Sequence, residues 1–205
     1  MNTMEIALTG IDGSGKTTFL KKTIPYLQTK GIAAGHIDLP YFTEVPGFEN
    51  ISGNFICPLW RWGEEHKNKP VLVFLMVLAV FLYFPARVKL RGRDMIIVEH
   101  QPRIDVETYC RIYLGKAGFF LAKIFKHLFP KPDMVTMLVI SPEEAYKRLI
   151  GRGKTLQPHE NLETLKRIDG LLRLSLKESG VNACFVEDPE PETFFNSCLL
   201  KEDEV

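Results

Sequence analysis

Apolar residues along the chain fall into short runs separated by amphipathic stretches, and the alternation is regular enough to assign elements. Glu5 to Thr9 runs into a glycine-rich turn and predicts a first strand. Lys16 to Lys30 is rich in helix formers and stops at Gly31, with Pro25 predicting a kink or an early end; Ile32 to Ile37 then supplies a short second strand. Residues 39 to 70 carry Pro, Gly, Asn and three aromatic clusters, the composition of a long irregular connection with room for a helical turn.

Val71 to Phe84 is uninterrupted apolar sequence. A helix of that length reaches about 21 Å, short of the ~30 Å hydrocarbon core of a bilayer, so a buried core helix is expected rather than a membrane crossing. The sharper alternatives are a wall for an apolar acceptor or a surface that rests on a membrane, since Arg87, Lys89, Arg91 and Arg93 follow directly. Phe119 to Phe129 repeats Phe120, Ile124 and Leu128 beside Lys116, Lys123, Lys126 and Lys131; the expectation is a surface helix packing one face inward, with membrane contact the less favoured reading.

Met95 to Val98, Met134 to Ile140 and Ala183 to Val186 read as buried strands. Helices are expected over about Pro142 to Arg152 and His159 to Ser179, with a glycine-containing loop between them to about Pro158 and a short helix at the end. Apolar strands alternating with helices predict an α/β fold with a mostly parallel sheet covered on both faces. At 205 residues the economical expectation is one domain over 1–205.

Charge narrows the partners, because 26 Lys and Arg against 25 Asp and Glu leave a formal charge of +1 and no field for nucleic acid. Cys57, Cys110, Cys184 and Cys198 lack CxxC or metal-ligand spacing and are expected to be small apolar fillers in a reducing cytoplasm, as nothing resembles a signal peptide. The five histidines share no spacing that suggests a metal site or a triad.

The chemistry concentrates at Gly10-Ile11-Asp12-Gly13-Ser14-Gly15-Lys16-Thr17, a full G-x-x-x-x-G-K-[ST] pattern between a strand and a helix. Glycines let successive N–H groups turn inward at a helix N-terminus and form a nest for anions. Gly10, Gly13, Ser14, Gly15, Lys16, Thr17 and Thr18 are therefore the candidate ATP-binding residues. Lys16 supplies charge for the β- and γ-phosphates, and the Thr17 hydroxyl suits Mg²⁺.

With Thr18 added, this loop resembles that of thymidylate kinase and its nucleoside monophosphate kinase relatives, and the absence of an Asn-Lys-x-Asp segment on a later strand argues against a guanine-specific protein. Met95-Ile96-Ile97-Val98-Glu99-His100 is similar to that family's third strand, where Asp-Arg normally stands, and Pro132-Asp133-Met134 to its fourth. Pro142 to Gly153 resembles its helix running into an arginine-bearing lid. The resemblance implies a three-layer P-loop fold, with a five-stranded parallel sheet flanked by helices and a short lid at about 151–160. It implies γ-phosphoryl transfer from ATP to a nucleoside monophosphate of the dTMP kind, and pairing of two copies through the helix at 71–84.

Within that frame Lys16, Asp12, Glu99, Arg148 and Arg152 are the candidate catalytic residues, joined by Lys154 in the lid. Thr17 and Glu99 are the candidate metal ligands, Glu99 because a strand-end carboxylate falls at the edge where open α/β sheets bind ligands. Asp38, Arg61, Trp62 and Arg103 are the candidate residues for a small-molecule acceptor, Arg103 standing in for the arginine that His100 replaces. Because Val71 to Phe84 also lacks the family's acceptor-binding arginine, a sugar, an antibiotic precursor or a lipid-linked intermediate is the alternative acceptor. A nucleotide-binding regulator with decayed activity is the alternative outside catalysis.

Overall fold

The computed structural model describes residues 3–39, 41–42, 45, 47–48, 52–115, 127–153, 155–157, 159–187 and 189–199. Its strands are β1 (Met4–Thr9), β2 (Ala34–Asp38), β3 (Met95–Glu99), β4 (Met134–Leu138) and β5 (Asn182–Val186). They form a five-stranded sheet in the order β2-β3-β1-β4-β5, every adjacent pair parallel. The α/β architecture implied by the resemblance is the one observed. The helices are α1 (Lys16–Thr29), α2 (Cys57–Glu65), α3 (Lys69–Lys89), α4 (Pro102–Leu114), α5 (Pro142–Gly151), α6 (Leu162–Ser179) and α7 (Pro191–Phe194), with π-helical turns at Ser52–Ile56 and Phe195–Leu199.

Successive strand residues point to opposite faces, and this alternation divides the core. Ile6, Leu8, Ile97 and Met134 pack under α1 and the C-terminal turn with Phe19, Leu27 and Phe194. Ala7 and Val135 face the other way, against Leu149 of α5 and Leu165, Ile168 and Leu172 of α6. Ile96 and Val98 share that second face and pack against Leu72, Leu75 and Tyr83 of α3. β3 and β4 are buried at every position, which is why they read as continuous apolar runs.

Among the polar groups buried in this core is one that ties α3 to the sheet. Glu5 on β1 is buried, accepts a hydrogen bond from the Tyr83 hydroxyl (2.6 Å) and lies 3.3 Å from Arg87 Nε. Burial pushes the carboxyl up despite the Tyr83 and Arg87 partners that favour its charged form.

Several expectations need correction. Pro25 does not end α1, which runs on to Thr29: Pro25 and Lys21, whose carbonyl loses its partner, both sit on the exposed flank where water can replace the bond. Among the described residues, the connection at 39–70 holds more helix than the single turn expected, a π-helical turn over Ser52–Ile56 running into α2. α3 is longer than its apolar run, and 21 residues span about 31 Å, so the length argument against membrane crossing fails. What seats α3 in the protein is its inner face of Leu72, Leu75, Tyr83 and Ala86, all buried in the core. α4 was not foreseen, although Pro102 in its first turn and a Gln101 side chain that accepts from Arg103 N–H (2.8 Å) give it an ordinary start.

Cys184 and Cys198 are not free fillers but form a disulfide between β5 and the C-terminal turn. The turn folds back over β5, a proximity that spacing along the chain does not encode. Among the expectations, most of the helix at 119–129 and Lys154 lie outside the described residues.

Candidate active site

The strand register brings Leu8, Glu99 and Asp38 level at the carboxyl edge of the sheet, immediately below the glycine-rich loop. That loop leads into α1 through Gly15, which has φ 94° and open space where a side chain would project. The helices starting at Lys69, Pro102, Pro142 and Leu162 each have a capping side chain that accepts a backbone N–H. α1, like α2 and α7, has none, and only at α1 does a glycine-rich turn precede the first N–H groups, the arrangement that suits an anion. Gly13, at φ 86°, passes so close to α5 that an added Cβ would lie 2.5 Å from the Ala145 carbonyl oxygen.

Lys16 is buried and folds back on the loop, donating to the carbonyls of Gly10 (2.8 Å) and Ile11 (3.3 Å), with Asp12 Oδ1 at 3.6 Å. Thr17 and Thr18 are exposed at the mouth, and Ser14 is buried with a hydroxyl that has no hydrogen-bond partner among the described residues. The loop residues nominated from sequence are thus assembled in one place.

Asp12 begins a chain of charged and polar groups that crosses to α2. Its Oδ2 lies 3.0 Å from His159 Nε2, and His159 Nδ1 lies 3.1 Å from Glu64 Oε1. The Tyr113 hydroxyl donates to the same Glu64 oxygen and lies 3.2 Å from His159 Nδ1. Burial alone would lower the His159 pKa, but hydrogen bonds and charge from Asp12 and Glu64 outweigh it and raise it to about 10. His159 is therefore an imidazolium that donates from both nitrogens. Burial would raise Asp12, yet Lys16 and His159 hold it well below the usual carboxylate range. Glu64 Oε2 is buried with no hydrogen-bond partner among the described residues.

Glu99 occupies the neighbouring position, with Oε2 3.6 Å from His36 Nε2 and Oε1 3.7 Å from His100 Nε2. Against the upward push of burial, the nearby His36 ring and the charges of His100 and Lys16 bring its pKa down to about 2. It is an ionised carboxylate at neutral pH. His100 holds a left-handed φ of 57°, fixed by its N–H to the Leu8 carbonyl (3.3 Å) and by Asp105 Oδ2 3.5 Å from Nδ1. Such a conformation in a non-glycine residue stores strain that the surrounding contacts must hold.

The remaining nominations separate. Asp38 is half-buried at the same edge, with Tyr41 feeling the charges of Glu64, Asp12 and Asp38. Arg61 and Trp62 face solvent, and Trp62 stacks on His66 at 4.7 Å; α2 turns Trp60, Gly63 and Glu64 inward instead. Helical spacing from Trp60 would have shown this, had the segment been taken as a helix. Arg103 donates to the Phe129 carbonyl (3.3 Å). Arg148 is exposed and pairs with Glu144 (3.2 Å), and Arg152 is exposed just past the end of α5. The sequence reading missed Glu64, Tyr113 and the histidines because their grouping arises only through folding. No cluster of three potential metal ligands occurs among the described residues.

No family model matches the chain. It is 26% identical over 163 residues to a probable thymidylate kinase of Sulfurisphaera tokodaii, covering 80% of this chain and 77% of the relative. It is 27% identical over 167 residues to a probable thymidylate kinase of Pyrobaculum calidifontis, covering 80% and 78%. Among solved structures, a deoxyadenosine kinase from M. mycoides with dCMP and a flexible dCDP bound superposes with a TM-score of 0.63, over 98% of this chain and all of that one, at 16% identity. In sequence the chain resembles thymidylate kinases, and its fold is the P-loop α/β fold with a five-stranded parallel sheet that it shares with that solved kinase.

Proposed function

We propose that the chain is an ATP-dependent nucleotide kinase of the thymidylate-kinase type, one domain over 1–205 that transfers the γ-phosphoryl group of ATP to a nucleoside monophosphate. The observation that carries this reading is the uncapped start of α1 at Gly15, with Lys16 buried inside the loop and an ionised Glu99 nearby. The names of the curated relatives support a nucleotide kinase. A cytoplasmic setting goes with the use of ATP.

Phosphoryl transfer needs positioning and charge neutralisation more than covalent chemistry. In this proposal the N–H groups of Gly13 to Thr18 hold the phosphates, and Lys16 exchanges its loop carbonyls for them. The chemistry that Mg²⁺ would supply when bound is neutralisation of phosphate charge. The exposed Thr17 hydroxyl and the Glu99 carboxylate are oxygen donors that fit it, and Mg²⁺ needs only one or two protein oxygens beside phosphate and water. Arg148 and Arg152 belong to α5 and to the proposed lid at 151–160, while Asp12, His159 and Glu64 border the acceptor.

A second reading has its own observation. The arginines nominated for an acceptor phosphate face solvent or a backbone carbonyl, whereas carboxylates of Asp12, Asp38 and Glu64 gather on that side. Carboxylates accept hydrogen bonds from hydroxyl groups, and the His159 imidazolium between Asp12 and Glu64 is already engaged by both, which favours a sugar-like acceptor without a phosphate. ADP release with ATP and Mg²⁺ across nucleoside monophosphates and neutral hydroxyl acceptors separates the readings. Turnover with dTMP or a related monophosphate supports the first, and turnover only with a neutral acceptor supports the second. Failure to bind ATP removes both.

A further inference from the structure

The outward stripe of α3 is apolar along its whole length. Phe74, Phe81, Phe84 and Val88 fall on one helical face, and Phe81 and Phe74 are 70% and 51% exposed. Pro70 and Pro85 are exposed on the same face, with Val77 and Leu78 half-buried between them. The stripe continues to the exposed Leu128, because its neighbour Phe129 stacks on Phe84 at 6.4 Å. Scattered apolar residues are normal on a surface, but a row of phenylalanines along a helix marks an interaction face.

Charge identifies what covers it. Lys67 and Lys69 are exposed at one end of the stripe, and Lys89, Arg91 and Arg93 at the other. No Asp or Glu occurs from 66 to 93, nor from 108 to 132, and these two stretches hold eleven of the 26 Lys and Arg. The rest of the chain carries the other fifteen against all 25 Asp and Glu. A near-neutral total therefore conceals an uneven distribution along the sequence, and α3 with its flanks carries six Lys and Arg and no Asp or Glu over 66–93. A second copy laid along α3, parallel or antiparallel, would set cations against cations at both ends of the stripe. Anionic lipid headgroups instead meet the cations while the phenyl rings enter the acyl boundary.

We propose that α3 is a membrane-docking surface that lies flat on an anionic bilayer, with Phe74, Phe81, Phe84 and Val88 inserted and Lys67, Lys69, Lys89, Arg91 and Arg93 on the headgroups. The inner face of α3 stays in the protein core, so the chain rests on the membrane and does not cross it. This inference is independent of the acceptor and places ATP chemistry beside a lipid surface.

Co-sedimentation of the full chain with vesicles of phosphatidylcholine, alone or with phosphatidylglycerol, tests it. We expect roughly tenfold more protein on the anionic vesicles, with most of the difference removed by salt as surface charge is screened. The double variant Phe74→Ser/Phe81→Ser should lose vesicle binding and keep its thermal shift with ATP and Mg²⁺. Lys89→Gln/Arg91→Gln/Arg93→Gln, which spares the apolar face, should lose the preference for phosphatidylglycerol. Equal or absent binding to the two vesicle types overturns the proposal. It also falls if light scattering without lipid shows a dimer that Phe81→Asp converts to monomer, because a second copy then covers the face.

Discussion

The phosphate loop takes its shape from the nine consecutive residues Gly10 to Thr18, whereas the network beside it gathers Asp12, Glu64, Tyr113 and His159 from separate parts of the fold. Asp12 and His159 are 147 residues apart in sequence, yet Asp12 Oδ2 and His159 Nε2 are in contact at 3.0 Å. The loop works through backbone N–H groups, which glycine conformation determines locally. The network works through side-chain tips, which only tertiary packing brings together. One half of the crevice is thus encoded as a string and the other as an arrangement, and substitutions should affect them differently.

The largest effect is expected at the backbone-built half. Lys16→Ala removes the charge inside the nest and should reduce turnover roughly 10²–10³-fold, ~3–4 kcal/mol of transition-state stabilisation. Steady-state ADP release measures it, and an unchanged rate would sink the proposed chemistry. Gly13→Ala should follow, because the new Cβ meets the Ala145 carbonyl at 2.5 Å and alanine disfavours φ 86°. A loss of about 2–3 kcal/mol in stability is expected, read by denaturant unfolding, together with weaker ATP binding. A neutral outcome would show that the loop and α5 can separate without cost.

The arrangement-built half should respond more gently and on a different substrate. Glu64→Gln leaves one acceptor oxygen for His159 and Tyr113 but removes the charge, so KM for the acceptor should rise about tenfold while KM for ATP stays within about twofold. Equal changes in both constants would show that the division into two halves is false.

The smallest effect is expected from pH. His159 titrates near 10 in the folded chain against an ordinary value near 6.5, so its contribution to stability is fully present below about pH 6.5 and is lost as pH rises through about 10. Wild type should therefore lose more Tm between pH 7 and pH 10.5 than His159→Gln does, as read by thermal melts of the two proteins at both pH values. Parallel curves for the two proteins would mean that the imidazolium does not bind its two carboxylates as the geometry indicates.

The same division explains what could be read before folding. β3 and β4, buried on both sides, announced themselves as apolar runs, and the loop announced itself by spacing. α2 did not, because the Pro, Gly and Asn residues before it outweighed the helical spacing of Trp60, Gly63 and Glu64, and Arg61 and Trp62 were chosen in their place. Pro25 misled for the opposite reason, since its local penalty is small on a wet flank. His159 carried no signal of its own. Its chemistry depends on Asp12 and Glu64, neither of which is near it in the chain.

The buried Glu5 bears on how the molecule assembles. α3 is so evenly apolar that its inner face could settle on the sheet in more than one register, each burying similar area. Glu5 meets Tyr83 and Arg87, one helical turn apart, and a slip by a turn would put Ala79 or Arg87 where the Tyr83 hydroxyl stands. The first leaves a buried acid short of a donor, and the second forces a guanidinium into a site where a phenol is fully enclosed. Either error costs on the order of several kcal/mol. Glu5 acts as a locating pin for a helix whose greasiness alone would let it slide, and it trades a little stability for a single way of docking.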